Sequence, residues 1–274
     1  MKIIYILLIF LACIANADRI AYQTAVITDT PVGYWKLDES SGASTALDSS
    51  GFGNHGVYSG VIFGQSDPFG GSSAVAFSVS YGSYINISDT GSSSLDVSYI
   101  TMEAWVKPVN YDVSHDRGMV INKENTWEVG LQDGTGNMQS AVWTNTNTWA
   151  WRGSANVGLN GWSHIVLTYD GSKVRHYVNG ILATDWYNYS GTLINNNEDM
   201  RIGARGGDGG VGSYFEGAIS EVAIYNYALT ESDIVQHYNS AFTPSQVPEF
   251  SSIALVSIAI GFFLRKNNAR RIKK

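Results

Sequence analysis

The chain has 274 residues, with 24 acidic against 17 basic side chains, five prolines and a single cysteine. Ten of the basic residues and all 24 acidic ones lie between Asp18 and Glu249, which gives that stretch a net charge of −14. Such a surface disfavours nucleic acid and anionic lipid as partners and suits neutral or cation-rich polysaccharide surroundings. With Cys13 as the only cysteine, disulfide frameworks, thiolate metal sites and cysteine nucleophiles are excluded from the rest of the chain.

The first 17 residues read as a secretory signal. Lys2 supplies the positive start, Ile3 to Ile14 the apolar core, and Ala15-Asn16-Ala17 the small-x-small pattern cleaved after Ala17. Lipoprotein processing at Cys13 is the alternative, but Phe10-Leu11-Ala12 places no aliphatic residue three positions upstream. The mature protein then begins at Asp18.

Residues 18–244 read as one large all-β domain of short alternating segments separated by turns. Gly51-Phe52-Gly53-Asn54-His55-Gly56 matches the dinucleotide-binding glycine pattern. That fingerprint needs a strand before it and a helix after it, whereas a Ser-rich loop precedes and the β-like Val57-Tyr58 follows, so the glycines read as a tight surface loop. From Ile100 to Lys107, Ile100, Met102, Ala104 and Val106 share a core face. The other face, Thr101, Glu103, Trp105 and Lys107, is expected to be open except at Trp105.

Glu124 and Glu128 fall on one strand face about 13 Å apart, too far for a retaining glycosidase pair, which needs roughly 5 Å; they read as solvated carboxylates. There is no Gly-x-Ser-x-Gly elbow or His-Glu-x-x-His motif, and the histidines at 55, 115, 164, 176 and 237 are widely spaced. The chain is therefore expected not to be an enzyme. Trp127, Trp143, Trp149 and Trp151 cluster amid Thr and Asn, with Arg152 adjacent. Indole rings stack on the C–H faces of sugars while amides and hydroxyls read the sugar hydroxyls, so these five residues are candidates for a glycan platform. Plain sandwich packing, the role expected of Trp35, Trp105 and Trp162, is the other reading.

Farther on, Asp170-Gly171 and Asn179-Gly180 separate Ile165–Tyr169, Val174–Val178 and Ile181–Ala183, and both dipeptides suit tight hairpin turns. After a strand from Ala218 to Tyr225, Thr230 and Asp233 form a helix start, with Ile234, Val235 and Tyr238 on one side. This is the one helix the pattern supports. The chain ends with an uncharged stretch from Phe250 to Leu264 and a tail holding six of the 17 basic residues. Fifteen helical residues reach about 22 Å against roughly 30 Å of hydrocarbon, a short membrane span with its basic end on the cytoplasmic side.

Two resemblances follow from these residues. Pro248-Glu249-Phe250, the short apolar span and the basic end resemble the PEP-CTERM sorting signal, and more closely its archaeal PEF-CTERM variant. Residues 245–274 would then be handled by a membrane enzyme of the exosortase or archaeosortase type, which passes the protein to the cell surface. An uncleaved tail would act as a simple membrane anchor instead.

The blocks YWKLDESSGASTALDSSGFGNHG (34–56), WSHIVLTYDGSKVRHYVNG (162–180) and ISEVAIYNYALTESDI (219–234) resemble the laminin-G-like jelly rolls of the concanavalin A-like lectin and glucanase superfamily. The resemblance implies an antiparallel β-sandwich with one short C-terminal helix. It also implies a structural calcium between the opening block and the closing strand, with Asp38, Asp48, Asn54 and Glu221 as the oxygen ligands. One ligand of the common pattern is missing, because Ser220 precedes Glu221 where the family often has Asp. A plain Asx-type turn at Asp48 is the alternative. As a family, these domains include lectins, adhesion modules and hydrolases, so the implied role is an exported surface module. Its expected partner is a polysaccharide or surface glycoprotein, in adhesion or matrix assembly. A secreted glycoside hydrolase and a purely structural envelope protein are the rivals.

Overall fold

The computed structural model describes residues 18–89, 93–112, 116–147, 149–186, 189–207 and 210–242. The expected signal sequence with its cleavage site at Ala17, and the tail containing Pro248, Glu249 and Phe250, lie outside the described residues. Among the described residues no helix is long and apolar enough to cross a membrane.

In chain order the strands are β1 (Gly33–Trp35), β2 (Thr45–Ala46), β3 (Gly56–Ser59), β4 (Ile62–Gln65), β5 (Ala74–Phe77), β6 (Tyr84–Ile87), β7 (Ile100–Pro108) and β8 (Arg117–Lys123). They continue with β9 (Trp127–Gln132), β10 (Asn137–Val142), β11 (Arg152–Asn156), β12 (Ser163–Tyr169), β13 (Val174–Val178), β14 (Ile181–Trp186), β15 (Met200–Ile202) and β16 (Gly217–Tyr225). Helix α1 covers residues 18–28 and α2 is Glu231–Ser240. The first sheet runs β14-β13-β12-β7-β16-β5-β4, with β1 added on β16; the second runs β11-β10-β9-β8-β15-β6-β3-β2. All pairings are antiparallel, so the domain is the expected two-sheet sandwich with a C-terminal helix.

The core between the sheets takes one side chain in two from each strand. Ile100, Met102, Ala104 and Val106 of β7 meet Ile121, Trp127, Val129 and Leu131 from the facing sheet. The Asn179-Gly180 turn behaves as expected, both residues at positive φ (53° and 74°) between paired β13 and β14. The Asp170-Gly171 connection is longer than a two-residue hairpin. Four residues separate Tyr169 from Val174, and Asp170 Oδ1 accepts N–H bonds from Ser172 (2.9 Å) and Lys173 (2.8 Å).

Two expectations change on the outer face of the first sheet. That face is not open: Thr101 and Glu103 are fully buried beside Trp105, under a second apolar cluster formed by Tyr22 and Val26 of α1, Ile234 of α2, and Phe69 and Tyr177. Helix α1 itself has no counterpart in the pattern read from the sequence. Helix α2 has its full capping box on Thr230 and Asp233, but it turns Ile234 and His237 inward and leaves Val235 exposed.

The helices are fastened by polar contacts as well as by apolar burial. Tyr225 donates its hydroxyl to Glu103 Oε1 (2.6 Å), and His164 Nε2 and His237 Nδ1 approach Oε2 at 3.1 and 3.0 Å. His237 Nε2 lies 3.0 Å from Asp29 Oδ2 at the end of α1. With a carboxylate at each ring nitrogen, His237 is an imidazolium. Burial opposes its charge, but Glu103 and Asp29 push it up to about 9. Burial likewise opposes the Glu103 carboxylate, and the two histidines hold it well below the usual range. Arg19 of α1 pairs with buried Asp67, and Gln23 donates to Glu221 (2.8 Å).

Candidate functional site

The residues singled out for calcium come first. Asp48 Oδ1 accepts N–H bonds from Tyr34 (2.9 Å) and Ser50 (2.8 Å), and Oδ2 accepts one from Asn54 (2.8 Å). The bond to Ser50, two residues on, is an Asx-type turn. Asn54 spends its amide on the Val32 carbonyl and Ser94 Oγ, and Asp38 is exposed. Glu221 is buried, accepts from Tyr34 Oη and Gln23, and is pushed up to about 7 chiefly by burial.

Asp48 and Glu221 therefore sit at opposite ends of Tyr34, one on its backbone N–H and the other on its phenol. N–H donors fill the lone pairs a cation would need. Among the described residues no three His, Cys, Asp or Glu side chains could together hold a metal ion. The four side chains are thus not gathered around one point in this arrangement: Asp48 and Glu221 are held apart by Tyr34, Asn54 turns to Val32 and Ser94, and Asp38 is exposed.

The tryptophans divide in two. Trp127 on β9 points between the sheets and is fully buried, so it belongs to the core and not to a platform. Trp143, Trp149 and Trp151 are half-buried. Trp149 and Trp151 meet edge to face, with ring centroids 6.1 Å apart at 87°. Arg117 of β8 lays its guanidinium 3.9 Å from the Trp151 ring centroid, donates Nε–H to Gln139 Oε1 (3.0 Å), and pairs with Asp116, whose side chain is 83% exposed. Register explains this meeting: Arg117 pairs with Gln132 and Gln139 with Gly130, so Arg117, Gln132 and Gln139 share the outer face of the second sheet.

Arg152 is exposed and reaches the other way, 5.8 Å from the ring of Trp186 at the end of edge strand β14. Trp186 is 41% exposed. Arg117 and Trp186 were not singled out by their sequence surroundings. A tryptophan closing the exposed strand Ile181-Leu182-Ala183-Thr184-Asp185 was the available signal for the second.

Beside this surface lies a carboxylate cluster that corrects the reading of Glu124 and Glu128 as distant and solvated. Glu124 sits in the β8–β9 turn and Glu128 on β9 opposite Asn122, so the turn folds the two together. Arg205 donates to Glu124 Oε2 through Nε (2.8 Å) and to Oε1 through Nη2 (2.9 Å), and the same Nη2 lies 3.2 Å from Glu128 Oε1. Glu128 is fully buried and is pushed up to about 8, first by burial and then by Glu124, against the pull of Arg205. At neutral pH it is an uncharged carboxylic acid. Gly206 donates its N–H to Asn122 Oδ1 (2.8 Å), and the Arg201 guanidinium packs against it where a Cβ would stand.

A family model described as the concanavalin A-like lectin/glucanases superfamily, of the laminin G type, matches residues 79–235. The chain belongs to that superfamily. A search of curated proteins finds no match.

Among solved structures, the fold is similar to the binding domain of Paraclostridial mosquitocidal protein 1 (TM-score 0.60, 18% identity, 79% of this chain and 53% of that one). It is also similar to botulinum neurotoxin type C, in a structure titled for its interaction with two ganglioside molecules (TM-score 0.60, 14% identity, 80% and 53%). A third is domain 4 of a GH43 extracellular arabinanase from Geobacillus stearothermophilus, in complex with arabinotriose (TM-score 0.55, 21% identity, 76% and 98%). The chain spans about half the length of the toxin domains it matches. At these identities the likeness is one of fold.

Proposed function

We propose that this protein is a non-catalytic carbohydrate-binding module of an exported, surface-retained protein, and that Trp149, Trp151 and Arg117 form its platform. The observation that carries this reading is the edge-to-face tryptophan pair on the outer face of the second sheet, with a guanidinium stacked on Trp151. Half-buried indoles held rigid by their neighbours present flat apolar area at low entropic cost, and Gln132 and Gln139 beside them supply amides for sugar hydroxyls. The fold neighbour solved with arabinotriose supports a sugar as ligand; the toxin binding domains support a binding role in general. Export with cleavage after Ala17, and surface retention through the tail of residues 245–274, complete the proposal. Mass spectrometry of the native protein, finding Asp18 as the first residue, tests that part.

One observation favours a second reading, a secreted glycoside hydrolase: Glu124 and Glu128 converge on one guanidinium nitrogen, and Glu128 is protonated at neutral pH. Against it, Arg205 occupies the space between the carboxyl groups and Glu128 is fully buried. A glycan array that includes arabino-oligosaccharides, with a reducing-end assay on every ligand bound, decides between the two. The binding reading expects array signal without hydrolysis. Turnover abolished by Glu128→Gln would replace it with the enzyme.

A further inference from the structure

The stretch from Asp18 to Glu249 has 24 carboxylates for ten cations, yet four of those cations gather around the tryptophans. A single chain of contacts runs across the side of the sandwich where the edge strands β11 and β14 meet. Arg117 lies on Trp151, Arg152 follows Trp151 and lies by Trp186, and Trp186 pairs with Val174 next to Lys173 and Arg175. Asp116, Asp170 and Asp185 form ion pairs with three of them, Arg117, Lys173 and Arg175, and Glu128 also acts on Arg117.

Asp185 already serves two cations, Lys173 at 3.5 Å and Arg175 at 3.4 Å, and Asp116 is almost wholly in solvent. Arg152 makes no ion pair among the described residues, and the side-chain hydrogen bond it makes among them is a 3.4 Å contact from Nη1 to the Trp151 carbonyl. An uncompensated guanidinium in so acidic a protein costs nothing when solvated, but it attracts anions that the rest of the surface repels. Held by an indole ring, it keeps its in-plane N–H groups free for two parallel bonds to a carboxylate.

Resting on the glycan reading above, we propose that the ligand is an acidic glycan, and that Arg152 is the specificity residue that receives a uronate carboxylate while Trp186 and the Trp149–Trp151 pair take up its rings. The acidity of the rest of the domain then confines such a polymer to this one edge.

The test is a fluorescence titration of the full-length protein with uronic acid trisaccharides and with their methyl esters, which keep the rings and remove the charge. The acids are expected to bind about tenfold or more tighter at low salt, and the preference should shrink as salt screens it. Arg152→Gln should bring acid and ester to equal affinity; Arg152→Lys, a point charge without the fork, should restore only part of the preference. Trp151→Ala should weaken acids and esters alike. Equal affinity for acid and ester would overturn this inference alone, and a preference that survives Arg152→Gln would remove Arg152 from it. Absence of binding to acid, ester and neutral glycans would overturn the underlying glycan reading.

Discussion

The two outer faces of this sandwich start from similar material and end differently. Both carry polar and aromatic side chains at alternate strand positions, and both include a fully buried glutamate. On the first sheet two helices close over Glu103, and every oxygen of that carboxylate is met by a tyrosine or a histidine, with Asp29 completing the chain through His237. On the second sheet, among the described residues, neither helix covers Glu128, which lies 3.2 Å from the Arg205 guanidinium and has a raised affinity for its proton. The same residue type is thus charged and structural on one face, and neutral beside a candidate binding surface on the other. A fully satisfied buried network fastens elements together, while a partly satisfied one accompanies a surface left for something else.

The comparison breaks most sharply if the glutamates prove interchangeable. Glu103→Ala should destabilise the protein by about 3–5 kcal/mol in urea denaturation, because it strands His237 and His164 in the interior. Trp105→Ala, beneath the helices, should cost a similar ~3–5 kcal/mol. Glu128→Gln mimics the protonated acid and should be close to neutral at pH 5.

The pH dependence sharpens the contrast. Glu128 in the folded state binds its proton up to about pH 8, above its ordinary 4.5. Its contribution is therefore complete below about pH 4.5 and lost as pH rises to 8. Glu128→Gln, which cannot ionise, should gain on the wild type across that window by about 5 kcal/mol. His237, pushed up from 6.5 to about 9, contributes fully below pH 6.5 and loses that contribution by pH 9. Glu103, held low, contributes above about pH 4.5 and loses its contribution on acidification. Parallel stability–pH curves for wild type and Glu128→Gln would contradict this assignment.

Smaller effects are expected on the open face. Trp151→Ala removes a half-buried ring and its cation–π contact with Arg117, for about 1–2 kcal/mol. Chelation of calcium should leave the melting temperature unchanged, since Asp48 and Glu221 face N–H and O–H donors at opposite ends of Tyr34.

Much of the first sheet was legible in the sequence. Alternation placed Ile100, Met102, Ala104 and Val106 in the core, Asn179-Gly180 marked a hairpin whose turn residues need positive φ, and Thr230 with Asp233 marked the α2 cap. What lay over the other face of β7 was not legible, because alternation separates two faces without saying which distant segment covers either. Glu103 owes its burial to Tyr22 and Ile234, far away in the chain. Helix α1 stayed hidden because Thr24, Val26, Ile27 and Thr28 are β-branched and poor helix formers; its stability comes from burying Tyr22 and Val26. The site was half legible. Spacing pointed to Trp149 and Trp151, but counting residues along one strand could not anticipate the β8–β9 turn that folds Glu124 onto Glu128, nor the register that brings Arg117 beneath Trp151.

The central claim, that the tryptophan surface of the second sheet binds carbohydrate, is tested most directly by calorimetric titration of one array-positive glycan into the wild type and into the Trp149→Ala/Trp151→Ala double variant, with a melting curve of each. The account predicts that binding is lost while the melting temperature falls by only a few degrees. Undiminished affinity in a folded double variant would contradict it.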